Sequence, residues 1–287
     1  MLAPGTRILI VGLGLIGGSY AEGLKKAGFE VGAVTRSQKT VDYALEKGII
    51  DSGTVEVTRA YVSRFDIVVF ALYPHVFLSW IESYQDYLKP GALLTDVTGV
   101  KGAVVYKVQE MLRPDLEFVG AHPMAGREVF GVENADSRIF EGANYIVTPT
   151  EVNTEAAVRT CEDLGRALGF GCISRLSPER HDEMIGFLSQ LTHCIAVALM
   201  NSKESRHLVD FTGDSFRDLT RIARINDEMW SELFLLNRDE LLSQMDLFAE
   251  RFGELREALA SGDTDKMKEM MRISTERRGY FDKRKQL

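Results

Sequence analysis

The stretch Arg7-Ile8-Leu9-Ile10-Val11-Gly12-Leu13-Gly14-Leu15-Ile16-Gly17-Gly18-Ser19 decides the fold of the first half of this chain. Its opening apolar run is the length of one buried strand. The run meets Gly-x-Gly-x-x-Gly, and a helical pattern continues through Lys26. In a strand–turn–helix unit the three glycines have separate duties. Gly12 allows the tight turn, Gly14 lets a pyrophosphate approach the backbone, and Gly17 lets helix and strand pack closely. The start of the helix offers unpaired N–H groups and a positive dipole end to phosphate. Together these features predict a dinucleotide site built from Gly12, Leu13, Gly14, Leu15, Ile16 and Gly17.

Outward from this unit, short β-rich runs at 7–11, 30–34, 66–70, 92–96, 117–120 and 143–148 alternate with helical stretches. That alternation reads as βαβ units in a doubly wound parallel sheet. Residues 150–168 read as a helix and 171–174 as one more short strand. Beyond about 177 the pattern is almost wholly helical, with amphipathic stretches at 178–202, 227–259 and 263–281, the last opening at an Asp263 N-cap. The expected architecture is α/β: an N-terminal Rossmann-type doubly wound domain over 1–176, then an all-helical C-terminal domain over 177–287. The later helices are long and rich in leucine and methionine, which favours a homodimer over a self-contained bundle.

Composition narrows the function. Of 287 residues, 45% are hydrophobic, enough for a sizeable core. The net charge of −8 argues against a general nucleic-acid binder and favours a small-molecule partner. Cys161, Cys172 and Cys194 show neither metal-ligand spacing nor a disulfide framework, which suits a reducing cytoplasm. The six residues before the first strand are too few for a signal peptide, and no apolar run is expected to approach the ~20 residues of a membrane span. No metal and no membrane partner are expected.

The second strand runs out into Thr35-Arg36-Ser37, with Lys39 close behind. A site for NAD usually places a carboxylate here to hold the ribose hydroxyls. Thr35, Arg36 and Ser37 instead offer a guanidinium and two hydroxyls to a 2′-phosphate, so NADP is expected. The alternative is that Arg36 stacks on adenine and accepts NAD as well. Leu72, beyond the run at 66–70, is also assigned to the cofactor site.

Three further runs carry candidate chemistry: Thr95-Asp96-Val97-Thr98-Gly99-Val100-Lys101-Gly102, Gly120-Ala121-His122-Pro123-Met124-Ala125-Gly126-Arg127-Glu128, and Phe216-Arg217-Asp218-Leu219-Thr220-Arg221-Ile222-Ala223. The first two follow predicted strands, and loops at that edge face the ligand. A histidine in a Gly/Pro-rich loop is better placed to touch a substrate than to pack. With His181-Asp182 and Ser189-Gln190-Leu191-Thr192-His193 between them, the runs resemble the prephenate/arogenate dehydrogenase family of tyrosine biosynthesis over nearly the whole chain. The resemblance implies an NAD(P)-linked oxidative decarboxylation of a cyclohexadienyl substrate. A hydride leaves C4, the ring carboxylate departs as CO2, and a phenol forms. It implies that His122 bonds the C4 hydroxyl and removes its proton, that Arg221 binds the ring carboxylate, and that His193 reaches the side chain. Thr98 and Gly99 fall in the substrate loop.

Each assignment has a plainer competitor. His122 could brace its loop, His193 could be a satisfied core histidine, and Arg221 could pair with Asp218 along its helix. Arg217, Arg224, His75 and His207 read as structural or solvated. Glu128 is open between ordering the substrate loop and a packing or dimer contact. Many family members carry serine where this chain has Gly99. That departure leaves Thr98, or His122 with water, to complete the hydrogen bonding, and it motivates a rival reading as a non-catalytic nucleotide-binding relative. Prephenate is favoured over arogenate on commonness. An acidic group near the amine, Glu128 or Asp214, would favour arogenate.

Overall fold

A computed structural model describes residues 2–204 and 206–282. In chain order the first elements are β1 (Arg7–Val11), α1 (Leu15–Lys26), β2 (Glu30–Val34), α2 (Gln38–Glu46), β3 (Ser52–Thr54), α3 (Arg59–Val62), β4 (Ile67–Phe70), α4 (Pro74–Tyr84), β5 (Leu93–Asp96), α5 (Gly102–Met111) and β6 (Glu117–Phe118). The six strands form one parallel sheet in the order β3-β2-β1-β4-β5-β6, the doubly wound order. Burial on both faces explains the continuous apolar runs. In β1, Ile8 and Ile10 join a core that includes Tyr20, Phe140 and Tyr145, while Leu9 and Val11 join one that includes Phe70, Phe77 and Trp80.

Next come β7 (Gly120–Met124), β8 (Asn144–Thr148), α6 (Glu155–Ala167) and β9 (Cys172–Arg175). They correct the expectation that every strand shares one parallel sheet. β7, β8 and β9 make a separate three-stranded sheet, antiparallel between β7 and β8 and parallel between β8 and β9. Only Val119 separates β6 from β7. A parallel neighbour needs a crossover of a dozen residues or more, so the chain leaves the first sheet instead. The His-Pro-Met segment is thus part of a strand and not a loop.

The helical part opens with α7 (Pro178–Ile185), a π-helical segment (Gly186–Leu191) and α8 (Thr192–Asn201), followed by α9 (Asp214–Thr220) and α10 (Asp227–Leu236). Against expectation, the run Pro178–Asn201 is long and apolar enough to cross a membrane, with a mean hydropathy of 1.4. Its His181, Asp182 and Gln190 are buried and hydrogen-bonded within the protein, while Phe187, Leu188, Leu199 and Met200 on the same run are exposed. The helix expected over 227–259 is broken at Asn237. The buried amide of Asn237 donates to the Asp182 carbonyl at 3.0 Å and to Gln190 Oε1 at 2.7 Å.

The chain divides into two compact units, the first ending at Arg238 and the second beginning at Asp239. The second holds most of α11 (Arg238–Ser261) and α12 (Thr264–Gly279). Asp263 caps α12 by accepting the Lys266 N–H, as its sequence predicts. Leu242, Phe248, Phe252 and Leu259 on α11 are exposed.

Candidate active site

Register brings the relevant loops together. Val34 pairs with Val11, Val11 with Phe70, and Phe70 with Asp96, so β2, β1, β4 and β5 end in one row. Thr35, Gly12, Leu72 and Thr98 all lie just past that carboxyl edge, where doubly wound sheets bind ligands.

At Gly12 the backbone has φ +96°, and a Cβ would meet the Ala71 carbonyl oxygen at 2.3 Å. A Cβ on Gly17 would meet the Gly12 carbonyl oxygen at 1.9 Å, so that glycine is required for packing α1 on β1. Gly14 differs, since nothing lies within 4 Å of its Cβ position. Gly14 is also the N-cap of α1 and supplies no side-chain cap. An open cradle at an uncapped helix N-terminus fits a pyrophosphate. Leu13 and Leu15 are buried beneath the loop, and Ile16 packs partly against the same core. The Thr35 N–H donates to the Thr54 carbonyl. Ser37 caps α2 through its hydroxyl, which accepts the Thr40 N–H, and so has a structural duty as well. Arg36 is exposed and makes no ion pair among the described residues.

The β5–α5 loop is held from below by a buried ion pair. Lys101 Nζ donates to Asp96 Oδ2 at 2.7 Å, and both side chains are fully buried. Burial pulls the Lys101 ammonium below its ordinary value, and Asp96 opposes that. Asp96 Oδ1 also accepts the Ala121 N–H at 3.0 Å, which ties β7 to the end of β5. The Thr98 hydroxyl donates to Asp96 Oδ2 within this cluster. It is therefore occupied below the loop, and the expectation that it faces substrate in place of a serine does not fit this geometry. Gly99 does face the site. Its Cβ position is 3.9 Å from both Nε2 and Cε1 of His122, and 3.6 Å from Leu233 on α10.

His122 stands on β7 opposite Ile146. Its Nδ1 is 2.9 Å from His181 Nε2, and His181 Nδ1 is 2.7 Å from Asp182 Oδ1. Burial, then His181, then Lys101 hold the His122 imidazole well below its ordinary range, so it is neutral at physiological pH. At His181 too, burial outweighs the opposing Asp182 contact.

The π-helical segment precedes His193, the kind of local insertion that re-aims side chains. His193 Nδ1–H donates to the Ser189 carbonyl at 2.8 Å, leaving Nε2 open, and its ring stacks on Trp230 with centroids 3.8 Å apart. Burial lowers the His193 imidazole, with Glu128 raising it and Arg221 lowering it, so these three groups share one neighbourhood. Arg221 pairs with Glu128 and not with Asp218. A concavity of about 410 Å³, lined in part by Glu128, Phe130 and Arg224, adjoins this pair. Arg217 and Asp214 form their own exposed pair at 2.6 Å. His75 binds Glu232 at 2.8 Å on the surface.

Two clusters therefore emerge: His122 with Gly99, and His193 with Arg221 and Glu128. The sequence reading assigned no site role to His181, Asp182, Lys101 or Trp230. The buried His-Asp dipeptide near the start of α7 was the available signal for the first two. Among the described residues no group of His, Cys, Asp and Glu has a metal-binding arrangement.

Residues 20–169 match the family model "Prephenate dehydrogenase, nucleotide-binding domain", and residues 177–273 match "Prephenate dehydrogenase, dimerization domain". The glycine loop precedes the first match and stands on its own geometry. The chain is 31% identical over 266 residues to the prephenate dehydrogenase of Lactococcus lactis subsp. cremoris, covering 90% of this chain and 72% of that one. It is 30% identical over 279 residues to the cyclohexadienyl dehydrogenase of Zymomonas mobilis, covering 94% of each. The crystal structure of A. aeolicus prephenate dehydrogenase in complex with hydroxyphenyl propionate and NAD+ aligns with a TM-score of 0.88 at 29% identity, over 98% of this chain and 100% of that one. Matched along most of its length by models of both domains, this chain belongs to the prephenate dehydrogenase family.

Proposed function

We propose that the chain catalyses the oxidative decarboxylation of prephenate to 4-hydroxyphenylpyruvate, with His122 as the general base. The observation that carries this reading is a neutral, partly buried imidazole beside Gly99, at the sheet edge from which the glycine loop also departs. A nicotinamide cofactor, when bound, supplies the hydride acceptor. The protein's part is to place the ring and move one proton. His122 Nε2 takes the proton of the C4 hydroxyl as the C4 hydride leaves and a carbonyl forms. Cleavage of the bond to the ring carboxylate then returns its electron pair to the ring as CO2 departs, and protonation of the oxygen gives the phenol. Arg221 holds the ring carboxylate and gives up Glu128 to do so, since a guanidinium is the natural bidentate partner of a carboxylate. His193, braced by Trp230 and the Ser189 carbonyl, presents Nε2 to the side chain. Gly99 leaves room above His122 for the hydroxyl or a water, and Thr98 contributes by holding the loop through Asp96.

The cofactor binds over Gly12, Leu13, Gly14, Leu15, Ile16 and Gly17, with Leu72 alongside and Thr35, Arg36 and Ser37 around the ribose phosphate. NADP is the preferred form, because Thr35 stands where a carboxylate would select NAD and the exposed Arg36 follows it. The division is a dinucleotide domain over 1–176 and a helical domain over 177–287 that pairs two copies of the chain. The setting is cytoplasmic. A second substrate, arogenate, is favoured by one observation: the Glu128 carboxylate lies in the neighbourhood of His193, where a substrate amine would need an acidic partner.

His122→Asn tests the assignment. The expected loss in kcat is about 10²–10⁴-fold, the usual range for a positioned acid–base group, with cofactor Kd unchanged. Unaltered turnover would remove His122 from the chemistry.

A further inference from the structure

We propose that His181 and Asp182 are positioning residues that keep the proton of His122 on Nδ1 and so leave Nε2 open as the base. The inference rests on the reading of His122 as base. It follows from three linked contacts and the rules of donor and acceptor. Asp182 Oδ1 is 2.7 Å from His181 Nδ1, and His181 Nε2 is 2.9 Å from His122 Nδ1. An ionised carboxylate only accepts hydrogen bonds, so His181 Nδ1 carries the proton in the first contact. A neutral imidazole has one donor and one acceptor, so His181 Nε2 must accept. The donor in the second contact is then His122 Nδ1–H. The remaining lone pair, on His122 Nε2, faces the space that Gly99 leaves by lacking a side chain. The reverse arrangement would put a proton on Nε2 and leave nothing to accept the substrate hydroxyl.

Asp182 is well anchored for this task. Its Oδ1 accepts the Lys101 N–H at 2.8 Å and its Oδ2 accepts the Gly102 N–H at 2.7 Å, both at the start of α5. Its own carbonyl accepts from Asn237. The carboxylate therefore cannot turn away without uncapping α5, which carries the far end of the Thr98–Gly99 loop. Burial keeps both imidazoles neutral, the condition under which the donor–acceptor order holds. The charged groups facing the pair are Asp182, Asp96 and the buried Lys101. A purely structural role for Asp182, as a cap of α5, predicts loss of stability on mutation but says nothing about which nitrogen of His122 is protonated.

The test reads that nitrogen directly. Histidine side-chain ¹⁵N–¹H correlation spectra of the free protein at mildly alkaline pH should show His122 protonated at Nδ1 and bare at Nε2. His181→Leu removes the acceptor and should shift His122 toward the Nε2–H form, with kcat lowered about 10²-fold and KM nearly unchanged. His181→Gln restores an acceptor oxygen near the Nε2 position and should recover most of the turnover and the Nδ1–H signal. A wild-type His122 protonated on Nε2 would overturn the proposal, as would a leucine variant with wild-type kcat. The predicted tautomer in a protein that turns over no cyclohexadienyl substrate would support the relay and refute the proposed reaction, so the two failures are distinct.

Discussion

Arg221 and its neighbours carry the most informative residue-scale test. Its guanidinium is paired with Glu128 but is 63% exposed, so the pair contributes little to stability, about 0–1 kcal/mol for surface pairs. Arg221→Ala should leave the melting temperature nearly unchanged and raise KM for substrate, with kcat less affected. An unchanged KM would leave Arg221 as a surface ion pair only. The buried imidazoles make a pH prediction. Both His122 and His181 have folded-state values below the ordinary ~6.5, so the unfolded chain takes up their protons first. Their contribution to stability is intact above ~6.5 and is lost as pH falls through that value toward the folded values. Urea midpoints should therefore drop between mildly alkaline and mildly acidic pH, and drop less in His122→Asn; a flat profile would contradict burial of neutral rings. At this scale motifs single out His122, His193 and Arg221 as candidates. Their contacts with Glu128, Trp230 and, through His181, Asp182 carry no spacing signal, because those partners lie far from them in sequence.

At the scale of elements, the glycine loop separates packing from binding. Gly17→Ala sets a methyl against the Gly12 carbonyl and should destabilise by about 1–3 kcal/mol or more while also weakening cofactor binding. Gly14→Ala has open space and should keep the melting temperature while raising the cofactor Kd. Thermal denaturation and cofactor titration of both variants check this, and a Gly14→Ala variant with unchanged Kd would move the phosphate elsewhere. Thr35→Asp with Arg36→Ala should shift preference from NADP toward NAD, and persistent NADP preference would displace the ribose from the end of β2. The bounds of β1 and β2 agree with the sequence reading, because buried apolar runs next to glycine turns are strong signals. β3 was silent, since Ser52-Gly53-Thr54 has no apolar alternation. β7 was hidden by Pro123, which ordinarily argues against a strand. It is accommodated because β7 is an edge strand of its sheet.

For the whole molecule, the second compact unit presents Leu242, Phe252 and Leu259 to solvent in a single copy of the chain, an apolar surface that pairing with another copy would cover. Sedimentation should return twice the chain mass, and Leu242→Glu with Phe252→Glu should return the single-chain mass; a monomeric wild type would contradict pairing. The doubly wound class of the sheet was legible from the alternation of runs, though its strand order, which begins at the silent β3, was not. The second sheet was not, because the turn from β6 to β7 depends on one connecting residue rather than on any periodicity. Oxidation of a cyclohexadienyl acid by this protein is read from the absorbance of reduced nicotinamide when the purified protein meets prephenate or arogenate with NAD or NADP. Reduction is expected with prephenate, fastest with NADP. No reduction in any of the four combinations, with cofactor binding intact, would contradict that activity.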